Sequence, residues 1–362
     1  EAEVRALIDQ GPFVPEEALR HGLVDDLAYE DQLDDRVPEL RDGSNEIRRL
    51  EGSDYQGVAL ADVGFRPNAR LGIIYAVGTI VSGKSAFDPV NGPVVGFETI
   101  VEQIRRVRDD RSIRAIILRV DSPGGSSIAS DVIWRELMIT RDQDRSRPLI
   151  ASMSDLAASG GYYIAMPAQT IVAHPATLTG SIGIYTGKFA LGGTMDKIGV
   201  GTETVKSGEN ADIYSPFAPF SPAQRARVQD YMQGFYDNFV EKAAASRKMT
   251  PEQIDAVAQG RVWTGRQARG HGLVDELGGL ETAIRIAKER AGIDADEDVE
   301  LVVYPPRRSI YEALTEQFGA SAGGWSVLAS RAERQAIAAL TAPVRLFRRG
   351  EPLAMMPFTF MR

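Results

Sequence analysis

Residues 114–126 read R-A-I-I-L-R-V-D-S-P-G-G-S. The first seven are a β-branched run of strand length, and the strand runs straight into Pro-Gly-Gly and then a helical pattern. Working outward, residues 71–77 (L-G-I-I-Y-A-V) form a second such run. Between the two, Ile100, Val101, Ile104 and Val107 recur at helical spacing. Downstream, residues 127–139 give another amphipathic helix and 148–152 a third strand. A short helix follows Ser159, and 170–173 make a further strand. Strand and helix alternate throughout, which predicts an α/β fold with a parallel-rich sheet and surrounding helices. Residues 222–245 predict a longer helix with Tyr231, Met232, Phe235 and Phe239 on one face. Shorter helices are expected at 251–259 and 280–290, and a closing strand at 300–304.

One string occurs twice. Residues 15–27 read P-E-E-A-L-R-H-G-L-V-D-D-L and residues 265–277 read G-R-Q-A-R-G-H-G-L-V-D-E-L. A helix that closes at glycine before a short strand would account for either copy alone. The repetition points further, to residues 1–42 as the tail of an earlier module whose full copy follows. The polar stretch at 43–70 then reads as a linker, 71–306 as the complete module, and 307–362, rich in Arg, Ala and Pro, as a C-terminal extension. Residues 355–361 are strongly apolar for a chain end and are expected to dock on this or a neighbouring subunit.

Composition narrows the chemistry. The 362 residues carry 43% hydrophobic side chains, enough for a real core, and a formal net charge of −9, which argues against a general nucleic-acid binder. There is no cysteine, so disulfides, thiolate catalysis and zinc ribbons are excluded. His21, His174 and His271 are too few and scattered for a histidine metal site, no cofactor fingerprint occurs, and neither metal nor cofactor is expected. No apolar run approaches the roughly 20 residues that span a bilayer. The chain opens with Glu-Ala-Glu, as if part-way through something longer.

Four strings could carry chemistry. In 119–126 (R-V-D-S-P-G-G-S), Gly124 and Gly125 let the backbone turn sharply and bring N–H groups near a ligand, with a helix N-terminus behind them. That is an oxyanion site or a plain strand-to-helix turn. In 157–163 (A-A-S-G-G-Y-Y), Ser159 is either a helix N-cap or a nucleophile on a sharp turn, with the N–H of Gly160 on its oxygen's side. In 178–183 (L-T-G-S-I-G), Ser181 is a turn residue or orients a base. In 204–212 (T-V-K-S-G-E-N-A-D), Lys206 is a solvated strand-end lysine or a base. A Ser-His-Asp triad would need His174 or His271, and the recurrence of the latter at His21 suggests a helix-end role instead.

Taken together the strings resemble the signal peptide peptidase A family (SppA, protease IV). The matching pieces are D-S-P-G-G-S at 121–126, M-S-D-L-A-A-S-G-G-Y-Y-I at 153–164, T-L-T-G-S-I-G-I at 177–184 and V-W-T-G-R-Q-A-R-G-H-G-L-V-D at 262–275, in family order over roughly residues 71–305. The resemblance implies a ClpP/crotonase-like α/β fold and a serine nucleophile with a lysine base. Carried over by residue, it implies Ser159 as nucleophile, the backbone of Gly160, Gly124 and Gly125 as oxyanion donors, and Ser181 as the serine that positions the lysine. One departure stands out. The lysine place of the family's short, single-module form holds Ala211. In the long, two-module form the lysine comes from the first module, so this chain resembles the C-terminal part of a long-form enzyme. The resemblance further implies cleaved, hydrophobic signal peptides as substrates and a ring-like homo-oligomer, tetrameric in the long form. It also implies the periplasmic face of a bacterial inner membrane, reached through an anchor outside this chain. Two rivals remain open: a crotonase-like acyl-CoA enzyme, and a non-catalytic peptide-binding scaffold, for which Ala211 is the best support. Should the chain hold its own base, Lys84, Lys188, Lys197 and Lys206 are the candidates.

Overall fold

The computed structural model describes residues 2–10, 13–29, 32, 64–88, 92–305 and the backbone of 353–355. Most of the linker at 43–70 and nearly all of the extension at 307–362 therefore lie outside the described residues. The chain divides into two compact units, Glu1–Phe65 and Arg66–Arg362. In the first, helix α1 (Ala2–Gln10) is followed by α2 (Pro15–Arg20).

The second unit is built on an eight-stranded sheet. Its strands are β1 (Ala69–Val77), β5 (Ile113–Ser122), β7 (Leu149–Ala158), β8 (Thr170–Ala173), β9 (Leu178–Gly180), β10 (Val262–Thr264), β11 (Glu276–Leu277) and β12 (Val299–Tyr304). The main order is β10-β9-β7-β5-β1-β12, with β8 beside the first half of β7 and β11 beyond it. All pairings are parallel except β9 with β10. Among the described residues, the helices of this unit are α3 (Phe97–Asp109), α4 (Ser127–Gln143), α5 (Gly160–Ala165), α6 (Gly192–Lys197), α7 (Pro222–Arg247), α8 (Pro251–Val257), α9 (Gly265–Gly270) and α10 (Leu280–Arg290). This is the parallel-rich α/β architecture expected from the alternation of runs.

The runs are continuous because both faces of the central strands are covered. Along β5, Ile116, Leu118 and Val120 enter one core with Ile104, Ile133 and Leu137 of α3 and α4. The alternate residues, Ala115 and Ile117, enter a second core with Ala283, Ile286 and Ala287 of α10. A one-residue slip would exchange the two sets, so the register is strongly specified.

A second sheet has no strong sequence signal. It is ordered β13-β6-β2-β4-β3, from β2 (Thr79–Val81), β3 (Ala86–Asp88), β4 (Gly92–Gly96), β6 (Gly124–Ser126) and β13 (Leu353–Met355). The long helix forms where the sequence places it, at Pro222–Arg247, and the four residues set on one face differ in burial: only Phe239 is buried and Tyr231 is exposed. Burial in α7 concentrates in its second half, at Phe239, Val240, Ala243 and Ala244, while Tyr231 packs edge-on against Phe235.

Candidate active site

The sheet brings three of the four chemistry-bearing strings to one end. Strand β7 delivers Ser159 directly after Ala158, and α5 begins at the next residue. The register pairs Ala158 with Gly180, so Ser159 and Ser181 are the next residues of two adjacent parallel strands. The Ser159 N–H donates to Gly180 O at 2.8 Å. On the other side of β7, Ser122 pairs with Ala157, which sets the Pro123-Gly124-Gly125 turn beside the same junction. The approach is close: a Cβ at Gly161 would lie 2.6 Å from Ser122 O.

Ser159 has the local geometry of a strained, presented residue. Its φ is 54° and ψ −115°, where a residue with a Cβ is disfavoured; such conformations cost on the order of 1–3 kcal/mol and persist where surrounding structure imposes them. The residue is 1% exposed and its Oγ makes no hydrogen bond among the described residues. It occupies the N-cap position of α5, but its side chain makes no capping bond. By contrast, Ser126 and Ser221 cap their helices in the ordinary way, accepting from Ala129 N–H and Gln224 N–H at 3.0 and 3.1 Å. The N-cap explanation of Ser159 thus fails on geometry, and a buried hydroxyl without a partner is left over.

The surrounding groups hold this junction still. Ser181 also has positive φ, 49°, is buried, and its N–H donates to Arg261 O at 2.7 Å. Thr179 Oγ1 donates to Ala157 O at 2.7 Å and Thr177 Oγ1 to Ser154 O at 2.6 Å, tying β9 and its approach to β7. Within the glycine turn, the N–H of Gly124 donates to Ser122 Oγ at 3.1 Å. Beneath α5, Tyr162 donates to Leu273 O at 3.0 Å, and burial pushes its phenol above the ordinary tyrosine range, so it stays a neutral donor. Tyr163 donates to Asp131 at 2.6 Å, and Lys242 meets that same carboxylate while lying over the Trp134 ring.

The fourth string stays apart. Lys206 is engaged with Asp212, Nζ to Oδ1 2.9 Å, and with Glu209 O at 3.1 Å. Ala211 is exposed in the turn between them. Lys188 lies over the Phe220 ring at 4.4 Å, and burial lowers its ammonium below the ordinary lysine value, with Asp212 pulling the other way. Neither these lysines nor Lys84 or Lys197 donates to Ser159 Oγ. His271 packs on Trp263 at the end of α9, a helix-end role rather than a catalytic one.

Little in the sequence signals a cavity of about 660 Å³ lined by Gly183, Tyr185, Thr186, Arg225, Met232 and Tyr236. Burial raises the Tyr185 phenol to about 12. Its only sequence signal is the G-I-Y-T run after Ser181, which has no diagnostic period. Among the described residues no cluster of His, Asp and Glu is arranged to hold a metal, and no helix is long and apolar enough to cross a membrane.

Fold and junction together define an α/β protein that presents a buried serine between glycine-rich turns. Residues 141–294 match Peptidase family S49. The chain is 39% identical over 305 residues to the chloroplastic serine protease SPPA of Arabidopsis thaliana, covering 83% of this chain and 44% of that protein. It is 39% identical over 294 residues to Protease 4 of Salmonella typhi, covering 80% and 46%. It is also 33% identical over 244 residues to the slr0021 protein of Synechocystis sp., covering 67% of this chain and 87% of that one. The chain belongs to peptidase family S49, with SppA and Protease 4 among its relatives. It spans less than half the length of the Arabidopsis and Salmonella proteins.

Proposed function

We propose that this chain is the nucleophile-bearing part of a serine endopeptidase with a Ser/Lys dyad, acting on cleaved, hydrophobic signal peptides. The observation that carries the reading is the buried Ser159 Oγ, without a hydrogen-bond partner among the described residues, on a strained junction beside Gly160 and the Gly124-Gly125 turn. A serine hydroxyl needs an adjacent base to attack a carbonyl. The base is a lysine supplied by an upstream module, of which residues 1–42 are the tail and 43–70 the linker to the module at 71–306. Ala211, at the short-form lysine place, and the engagement of Lys206 with Asp212 both support an external base. Burial between the modules would lower that lysine's pKa toward working pH.

In the proposed reaction Ser159 Oγ bonds to the scissile carbonyl carbon while its proton passes to the lysine amine. The developing oxyanion is held by N–H groups of Gly160 and of the Gly124-Gly125 turn, where the Gly124 N–H must first leave Ser122 Oγ; each such donor contributes about 2.7–4 kcal/mol. The C–N bond breaks as the lysine returns the proton to the leaving nitrogen, and water then releases the acyl group by the same route. Ser181, next to Ser159 across two paired strands, positions the lysine. The assembled enzyme works as a ring-like tetramer at the periplasmic face of a bacterial inner membrane, anchored outside this chain.

The test is a fluorogenic hydrophobic-peptide assay. In the assembled two-module enzyme Ser159→Ala lowers kcat by at least about 10³-fold, with fold and assembly intact. Lys206→Ala costs less than about tenfold, roughly 1.4 kcal/mol. The 362-residue chain alone is silent, Ala211→Lys rescues it weakly at best, and adding the upstream module restores turnover. Near-wild-type activity in Ser159→Ala would sink the nucleophile. Robust cleavage by this chain alone, abolished by Ser159→Ala, would sink the external base. Labelling of Ser159 by a fluorophosphonate separates the peptidase from an acyl-CoA enzyme or a scaffold.

A further inference from the structure

Two helices start at the proposed oxyanion site. α4 follows the Gly124-Gly125 turn, with Ser126 as its cap, and α5 follows Ser159, with Gly160 as its first residue. An oxyanion is held only when donors lie about 2.7–3.1 Å from it, so the spacing of the two helix starts matters. α5 has six residues, too short to be stable without its neighbours. Tyr163 connects the two. Its N–H donates to Ser159 O at 2.8 Å, which closes the first turn of α5 onto the nucleophile's own carbonyl. Its hydroxyl donates to Asp131 Oδ1 of α4 at 2.6 Å. Lys242, from the buried half of α7, donates to the same carboxylate oxygen and to the Tyr163 hydroxyl, the latter at 3.1 Å. Its ammonium also lies 4.0 Å from the centre of the Trp134 ring. The proton directions agree all round: the ammonium donates twice, the phenol accepts once and donates once, and the carboxylate accepts twice. Burial, and then the bond to Asp131, pushes the Tyr163 phenol above its ordinary range, so it stays a donor.

We propose that Tyr163, Asp131 and Lys242 are positioning residues: together they clamp the start of α5 to α4 and so set the distance between the Gly160 N–H and the Gly124-Gly125 turn. The inference rests on the peptidase reading above. Tyr163 is 4% exposed and packs on Phe239, ring centres 4.6 Å apart, with its edge toward Trp134. Phenylalanine would fill that space equally well. What the hydroxyl adds is a fixed distance and direction between two helices. An ion pair at such a place contributes little net stability, and its use lies in the geometry it specifies. The clamp also bears on the strain at Ser159, whose φ of 54° persists only while its surroundings impose it. None of the three side chains touches the reacting atoms in this scheme; they act through the backbone of Ser159 and Gly160. Loosening them shifts one set of donors against the other, and a shift of about 1 Å costs on the order of 10²-fold in rate.

The experiment compares two inhibitors of the assembled two-module enzyme, a leucine/alanine peptide aldehyde and the matching peptide alcohol. The aldehyde carbon bonds to Ser159 Oγ, the hydroxyl proton passes to the lysine amine, and the former carbonyl oxygen becomes an oxyanion. The alcohol forms no such bond and reports ground-state binding alone. The ratio of the two inhibition constants therefore isolates the oxyanion site, and a variant that is merely less stable does not move it. Tyr163→Phe is expected to lower the wild-type preference for the aldehyde about 10- to 100-fold, to lower kcat by a similar factor and to leave KM within about twofold. Lys242→Met, on a different helix, lowers the preference by less. The double variant falls no further than Tyr163→Phe alone, because the groups act as one unit. An unchanged preference in Tyr163→Phe overturns the proposal, as does a loss carried by KM with kcat intact, or fully additive losses in the double variant. Failure of the peptidase reading looks different: the wild-type enzyme then shows no preference for the aldehyde, and Ser159→Ala retains cleavage.

Discussion

At the end of α2, His21 sits at φ −86°, ψ 0° and Gly22 at φ 68°; at the end of α9, His271 sits at φ −89°, ψ 1° and Gly272 at φ 76°. The hydrogen bonds repeat as well. Leu23 N–H reaches Ala18 O at 2.9 Å, and Leu273 N–H reaches Ala268 O at 2.9 Å. Even the ring contact recurs eight residues upstream, Phe13 with His21 at 5.0 Å and Trp263 with His271 at 4.2 Å. The surroundings are opposite. Leu273 and Val274 are 0% and 2% exposed, whereas Leu23 and Val24 are 50% and 40% exposed. Around the second copy, Tyr162 donates to Leu273 O, Arg247 Nε to Gly272 O at 2.8 Å, and Asp275 accepts from Ile171 N–H and from the Arg247 guanidinium. The comparison separates two layers of cause. Glycine at a left-handed helix end sets the backbone locally in both copies. Burial, and the energy that goes with it, comes only from the module that surrounds the second.

The largest effect should come from truncating the shared leucine. Leu273→Ala leaves a cavity in the core and should cost about 2–5 kcal/mol in urea unfolding. Leu23→Ala should stay within about 0.5 kcal/mol in this chain. If the upstream module exists as proposed, adding it should make Leu23→Ala costly too; an unchanged small effect there would remove the repeat as an interface.

The shared aspartate comes next. Asp275→Ala strands the Arg247 guanidinium, whose side chain is 8% exposed, and should cost about 1.5–3 kcal/mol. Asp25→Ala should be close to neutral in the same unfolding assay. Equal costs for the two would show that the motif carries its stability locally.

The smallest effect should also be the most alike between the copies. Gly22→Ala and Gly272→Ala each place a Cβ at positive φ and should weaken their helix end by about 1 kcal/mol. The readout is amide exchange at Leu23 and Leu273, the N–H groups that close each motif. A cost at Gly272 many times that at Gly22 would mean that packing, including the Met249 sulfur 3.3 Å from the added Cβ, outweighs conformation there.

Legibility follows the same division. The runs at 71–77 and 114–120 were readable because strands buried on both faces are apolar at consecutive positions, as in Ala115–Leu118, and α3 because Ile100, Val101, Ile104 and Val107 mark its buried face. The strings around Gly124, Ser159 and Ser181 were readable as sharp turns, since glycine and small residues punctuate them. The second sheet was not: β2, β3 and β6 have three residues each, too few for any period to emerge. The extent of burial along α7 was not legible, because apolar spacing shows which residues could be buried, while burial needs a neighbour.

By itself, then, the sequence determined the backbone grammar of this protein: alternating strands and helices, glycine turns, the duplicated helix ending, and a serine placed where a strand stops. Those features arise from interactions among residues a few positions apart, and they hold wherever the segment lies. Tertiary structure alone decided that Ser159 Oγ is buried without a partner among the described residues, that Ser181 stands beside it, that one copy of H-G-L-V-D is core and the other surface, and that Leu353–Met355 lies on β6. Each of these depends on groups distant in sequence, brought together only when the sheet assembles. No local pattern encodes that proximity, because the energy of burial and of strand pairing belongs to both partners at once.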